Sequence, residues 1–175
     1  MNRVIRRTRK RNRLDGYDYG RAGYYFITIC ANQRVEFFWE SAAAPCVGAD
    51  IIRPCSPVLS QYGHFVEQAI QGIPQHYAGV VVDKYVIMPN HVHMILSLPW
   101  SDGRIISAPT KEISTIVGQM KRIVSKQAGF PIWQKSYHDH IIRNEADYRR
   151  IWEYIDTNPA KWREDCYYEE RRLSP

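Results

Sequence analysis

Residues 80–98 read VVVDKYVIMPNHVHMILSL, and the reading of the fold turns on them. Two apolar, β-branched runs, 80–88 and 92–98, meet at Met88-Pro89-Asn90. Val and Ile pack well on a pleated surface, so both runs are expected to be strands with a turn between them. The second run opens on His91-Val92-His93. Side chains alternate across a strand, so His91 and His93 share one face and Val92 takes the other. Two imidazoles stacked on one strand face can share a divalent ion, and neutral imidazole suits Zn, Mn, Fe, Ni or Cu. Alone, such a pair is ordinarily the solvated face of a strand. A tyrosine and an asparagine four residues apart, far downstream, give it another meaning.

Upstream, residues 23–31, GYYFITICA, alternate Tyr25, Ile27 and Ile29 against Tyr24, Phe26 and Thr28, which predicts a strand. Asn32-Gln33 reads as a turn into a second short strand at 35–39, VEFFW. Residues 41–57 carry three prolines and runs of Ala, and read as a surface insertion. Tyr62, Phe65, Val66, Ala69 and Ile70 recur at helical spacing within 60–72, and Gly72 and Pro74 end that helix. Residues 100–110 form a polar loop. A helix over 111–128 follows, with Ile113, Ile116, Val117, Met120, Ile123 and Val124 on one stripe, Lys121, Arg122 and Lys126 on other faces, and Gly129 closing it. Residues 131–143 hold short apolar stretches and a strand near 140–143. Asn144 caps a last helix, with Glu145 and Asp147 in its first turn; it runs to Asn158 and Pro159 stops it. The order β, β, α, β, β, α, β, α predicts an α+β fold, a largely antiparallel sheet with helices packed on it. No internal repeat and no second domain is evident. The expected organisation is an arm at 1–20, one domain at 21–163 and a tail at 164–175.

Composition bounds the class. With 175 residues, 45% of them hydrophobic and 13% aromatic, the chain suits one globular domain and excludes a disordered one. No apolar run approaches the ~20 residues of a membrane span. The opening MNRVIRRTRKRNR lacks the apolar stretch of a secretory signal, so a cytoplasmic protein is expected. Cys30, Cys46, Cys55 and Cys166 form no CxxC pair and read as reduced thiols. The net charge of +6 is local: Arg3, Arg6, Arg7, Arg9, Lys10, Arg11 and Arg13 crowd the first 13 residues, and without those seven the chain has 17 basic against 18 acidic residues. A basic arm on a nearly neutral body suits nucleic-acid phosphates. Lys121, Arg122 and Lys126 are expected to add DNA contacts from their helix. His64 and His76 stand alone and are assigned no role.

On the last helix, Tyr154 and Asn158 lie one turn apart on one face. Tyr148, Ile151 and Ile155 form a neighbouring stripe that would hold this helix to the sheet. A tyrosine hydroxyl, with its pKa near ~10, is a poor nucleophile at neutral pH. It can attack a phosphodiester if a divalent ion polarises the phosphate and the two are held in line. Two imidazoles and one amide oxygen would leave coordination positions open for phosphate. If Asn158 is that amide, Tyr154 is delivered beside the phosphorus. No glycine-rich nucleotide loop is present, and none is needed, because a phosphotyrosine link conserves the energy of the broken bond.

The blocks YVIMPNHVHMIL, WQKSYHDHIIR and YIDTNPAKW, with the opening DYGRAGYYFITICANQR, resemble the single-tyrosine transposases of the HUH superfamily. The similarity is greatest to the bacterial branch associated with repetitive extragenic palindromes (REP), and it covers most of residues 12–163. It implies a ferredoxin-like (RRM-like) domain acting on single-stranded DNA that carries hairpins. It implies His91 and His93 as metal ligands, Asn158 as the third ligand, Tyr154 as the nucleophile and a 5′-phosphotyrosine intermediate. Mg²⁺ or Mn²⁺ is the expected ion, and a monomer is favoured over a homodimer. Within Tyr137-His138-Asp139-His140, Tyr137 and Asp139 would share one strand face and His138 and His140 the other; Asp139 and His140 are candidates to support the site. Tyr137 and Tyr148 are the rival nucleophiles, although Tyr148 has Trp152 and no amide at i+4. The competing functions are a catalytically silent hairpin-binding or regulatory protein on the same fold, and a metal-dependent hydrolase of another substrate.

Overall fold

The structure, a computed structural model, describes residues 16–40, 58–99 and 112–168. Its elements run β1 (Gly23–Cys30), α1 (Gln61–Gln71), α2 (Ile73–His76), β2 (Val81–Ile87), β3 (His91–Leu98), α3 (Ile113–Ala128), β4 (His138–Ile142) and α4 (Glu145–Thr157), with short 3-10 turns at Asn32–Arg34 and Asn158–Glu164. The four strands form one sheet in the order β2-β3-β1-β4, and every neighbouring pair is antiparallel. This is the ferredoxin-like split βαβ arrangement, with α4 added after the last strand.

The alternation read in the sequence sorts the two sheet faces. Tyr25, Ile27 and Ile29 of β1 and Val92, Met94 and Leu96 of β3 join Val66 and Ile70 of α1 and Ile116, Val117, Met120 and Val124 of α3 in one buried core. On the other face Ile95 of β3 and Ile142 of β4 pack with Ile151 and Ile155 of α4. The opposite faces of β3 therefore have different tasks. Val92 enters the main core, while His91 and His93 point to the side that α4 covers. The helix ends follow local chemistry. The Ser60 hydroxyl accepts from Gly63 N, Asn144 Oδ1 accepts from Asp147 N at 2.9 Å, and Gly129 takes φ 82° after α3. A Cβ on Gly63 would stand 2.2 Å from the Phe38 carbonyl, so α1 can approach residues 37–39 this closely only with glycine there.

One expectation needs correction. Residues 35–39 do not form a strand; only the isolated bridge Trp39–Leu59 forms. Their apolar side chains plug the core instead: Phe38 is fully buried, and its N–H donates to Pro89 O, not to a ladder. Tyr17 and Tyr19 pack edge to face beside Tyr25, Tyr19 is buried, and Ile113 N donates to Tyr19 O. After α4 the 3-10 turn carries residues 164–168 back against β3. The basic residues Arg3, Arg6, Arg7, Arg9, Lys10, Arg11 and Arg13, the insertion at 41–57 with Cys46 and Cys55, and the loop at 100–110 lie outside the described residues.

Candidate active site

The site is built where β3 leaves the β2–β3 turn. His91 and His93 are buried on the α4 side of the sheet, and their Nε2 atoms converge to 3.0 Å. Each ring is held at its other nitrogen. Asn90 Oδ1 lies 2.9 Å from His91 Nδ1, and Thr28 Oγ1 lies 2.8 Å from His93 Nδ1. Thr28 is there because β1 pairs with β3 in a register that sets Thr28 opposite His93. Phe26 of β1 stacks on the His93 ring at 5.2 Å. Burial pulls both imidazoles down to about 3, helped by the Arg34 charge at His91 and by His91 itself at His93. Both rings are therefore neutral at neutral pH, which is the form that binds metals.

Helix α4 supplies the third element. Tyr154 Oη lies 3.2 Å from His93 Nε2 and donates to Asp165 Oδ2 at 3.3 Å. Burial pushes the Tyr154 hydroxyl well above its ordinary range; the Asp165 and Cys166 charges add to this, while Asn158 favours the phenolate. Tyr154 is nevertheless 39% exposed, so a substrate can reach it. Asn158, at the C-cap of α4, is buried beside this hydroxyl, and its Nδ2 has no hydrogen-bond partner.

The residue that sequence reasoning missed is Asp165. Its Oδ2 lies 4.0 Å from His91 Nε2, and one ligand atom from each of His91, His93 and Asp165 falls within 4.8 Å of the others. Its Oδ1 accepts from Tyr167 N at 2.7 Å, which fixes the carboxylate. Tyr167 lies against the His91 ring at 4.5 Å, Trp162 lies 5.9 Å from it, and the Arg34 guanidinium sits over Tyr167 at 5.3 Å. The only signal for Asp165 in the sequence was a carboxylate a few residues past Asn158, and nothing there showed that the chain doubles back. Two neutral imidazoles and one carboxylate are a donor set for a divalent ion of intermediate hardness.

The rival residues are separated from this centre. Tyr137 packs against the main core on the opposite face. Tyr148 stands over Tyr24 and reaches Asp83 at 3.5 Å, at the other end of α4. His138 and His140 lie opposite Thr28 and Phe26, on the same sheet face as the histidine pair. His140 is tied to Asp147 at 2.7 Å, and Asp139 pairs opposite Ile27 on the other face. Helix α3 also packs on that other face, so Lys121, Arg122 and Lys126 stand across the sheet from Tyr154. Lys121 is half-buried and donates to Gln134 O at 2.6 Å and Lys135 O at 2.9 Å, which ties α3 to the segment leading into β4. Arg122 and Lys126 are exposed.

The chain is thus a ferredoxin-like domain that sets a paired-histidine centre against one helical tyrosine. No family model matches the chain. An uncharacterized protein of Haemophilus influenzae is 34% identical over 179 residues, spanning 91% of this chain and 93% of that one. A second H. influenzae protein, assigned as a REP-associated tyrosine transposase, is 23% identical over 82% of this chain and 74% of its own length. The REP-associated tyrosine transposase of Escherichia coli is 32% identical over 81 residues, 46% of this chain and 44% of that one. A solved REP-associated tyrosine transposase, bound to a REP hairpin, superposes with a TM-score of 0.60 at 23% identity, over 85% of this chain and 74% of that one. In sequence the chain is similar to REP-associated tyrosine transposases, and it shares the fold of the solved one. No helix among the described residues is long and apolar enough to cross a membrane.

Proposed function

We propose that this chain cuts and rejoins single-stranded DNA next to hairpins, with Tyr154 as the nucleophile and a divalent ion as cofactor. The observation that carries the reading is the Tyr154 hydroxyl, 3.2 Å from His93 Nε2 at the point where two neutral imidazoles and Asp165 converge. The substrate class comes from the solved relative, which holds a REP hairpin.

His91, His93 and Asp165 would hold Mg²⁺ or Mn²⁺, whose role is to draw negative charge from the scissile phosphate and fix it in line. Asn158 can join them. A half-turn of its amide puts Oδ1 where the partnerless Nδ2 now stands, an acceptor that a cation would satisfy. Tyr154 attacks phosphorus through Oη, and its proton leaves along the hydrogen bond to Asp165 Oδ2. The bond to the 3′-oxygen breaks, that oxygen takes a proton from water, and the DNA is left as a 5′-phosphotyrosine ester. Attack by a 3′-hydroxyl reverses these steps and rejoins the strand. Burial holds the Tyr154 hydroxyl in its protonated form, so the attack needs an acceptor for that proton.

The test is Tyr154→Phe, assayed on a labelled hairpin oligonucleotide with single-stranded flanks and Mn²⁺. The fold should survive, since the change removes one hydroxyl, about 1 kcal/mol of hydrogen bonding. Hairpin binding should persist while cleavage and the covalent adduct disappear. Mass spectrometry of the wild-type adduct should place it on Tyr154. An adduct on Tyr137 or Tyr148, or undiminished cleavage by the Phe variant, refutes the assignment. Wild type that binds the hairpin and never cuts it would make the chain a silent hairpin-binding protein.

A further inference from the structure

The two imidazoles of the centre are not equivalent. The tautomer of His91 is fixed by Asn90, which is buried. Asn90 Nδ2 donates to Arg34 O at 3.1 Å and to Tyr167 O at 2.8 Å. Both partners are carbonyls, so this end of the amide has to be the NH₂ end. The other end, Oδ1, faces His91 Nδ1 at 2.9 Å and can only accept. His91 Nδ1 therefore carries the ring proton, and its Nε2 presents a bare lone pair to His93.

His93 has a different kind of partner. Thr28 Oγ1, 2.8 Å from His93 Nδ1 and buried, can either donate or accept. The Nε2 atoms of the two rings are 3.0 Å apart, a distance at which two bare lone pairs repel and one N–H between them bonds well. His91 Nε2 is bare, so in the metal-free chain the proton there belongs to His93. The Tyr154 hydroxyl donates to Asp165 and does not supply it. Thr28 then donates to His93 Nδ1.

An ion that takes both Nε2 lone pairs requires the opposite arrangement. The His93 proton has to leave Nε2, Nδ1 has to gain one, and the Thr28 hydroxyl has to turn from donor to acceptor. Each neutral tautomer holds one ring proton, so the exchange releases and consumes none. We propose that Thr28 is a positioning residue that lets His93 switch tautomer, between a metal-free pair closed by a His93–His91 hydrogen bond and a metal-bearing pair with both Nε2 atoms on the ion. This rests on the reading that His91 and His93 hold a divalent ion. Asn90 keeps one ligand permanently ready, and Thr28 makes the other one conditional.

Long-range proton–nitrogen NMR on the imidazoles of the full chain reads both tautomers directly. Without metal, His91 should show Nδ1–H and His93 Nε2–H; with diamagnetic Zn²⁺ added, both should show Nδ1–H. Thr28→Val keeps the shape but can neither donate nor accept, so the metal-bearing state leaves a buried N–H without a partner. Its Mn²⁺ affinity, followed by electron paramagnetic resonance, should fall roughly 10–100-fold, the usual loss when a ligand's outer partner is removed. Thr28→Ser should restore the wild-type affinity. The His91 Nδ1–H signal should persist in both variants and reports an intact site. His93 found as Nδ1–H in the metal-free wild type overturns the proposal without recourse to any variant. Valine-variant affinity equal to wild type overturns it and leaves the metal site standing, whereas wild type that binds neither Mn²⁺ nor Zn²⁺ removes the metal reading itself.

Discussion

Replacing Asp165 by Asn tests the centre at its least anticipated member. The substitution keeps size and shape, and an amide oxygen can still accept from Tyr167 N, so the return of the chain over His91 should survive. What is lost is one negative charge, 4.0 Å from His91 Nε2 and 3.3 Å from the Tyr154 hydroxyl. A unit charge and a divalent ion 4 Å apart at an effective dielectric near 20 interact by about 8 kcal/mol. The carboxylate already has bonds to keep and an amide oxygen still coordinates weakly, so about a quarter of that should be felt. A loss of about 2 kcal/mol corresponds to roughly 30-fold weaker binding of Mn²⁺. Calorimetric titration of Mn²⁺ into wild type and variant, with no DNA present, measures this apart from catalysis. Cleavage of the hairpin substrate should fall at least as far, because the acceptor for the Tyr154 proton goes with the ligand. Mn²⁺ affinity equal to wild type would refute Asp165 as a ligand; if cleavage still dropped, its role would be confined to the Tyr154 hydroxyl.

Two further outcomes are expected. The His140 and Arg150 side chains hold the Asp147 carboxyl below the usual carboxylate range, so it contributes stability that is present above its unfolded pKa and is lost as pH falls through the folded one. Asp147→Asn should therefore lower the melting temperature at pH 7, and the gap to wild type should close in acid below about pH 4; a gap that stays constant with pH would show that the pair contributes nothing. Deleting residues 1–13 removes seven positive charges. For every phosphate the arm would neutralise, its removal should flatten the salt dependence of single-strand binding by about 0.7 in log–log slope, as read by fluorescence anisotropy, and an unchanged slope would leave the arm without a DNA role.

Much of this architecture is legible along the chain because it is periodic. Alternation in 23–31 and 80–98 fixed which residues face each way, and the apolar stripes and caps of 60–72, 111–128 and 144–158 located the helices to within a few residues. The histidine pair and the Tyr154–Asn158 spacing are local patterns of the same kind, since residues two apart on a strand or four apart on a helix meet whatever the rest of the chain does. Residues 35–39 misled because an apolar run says that a segment is buried, not what its backbone bonds to. Phe38 found its partner in Pro89 O, 51 residues away. Asp165 could not be read at all: its place beside His91 depends on how far the turn after α4 folds back, which local sequence does not encode. The same holds for Thr28, whose contact with His93 exists only through the β1–β3 register. Local pattern was thus enough for most of the elements, for their buried faces, and for the histidine pair and the Tyr154–Asn158 pair each taken by itself; the meeting of the two pairs is tertiary. Folding in three dimensions settled which carboxylate completes the centre and which hydroxyl faces the second imidazole, because those contacts join segments 65 and more residues apart.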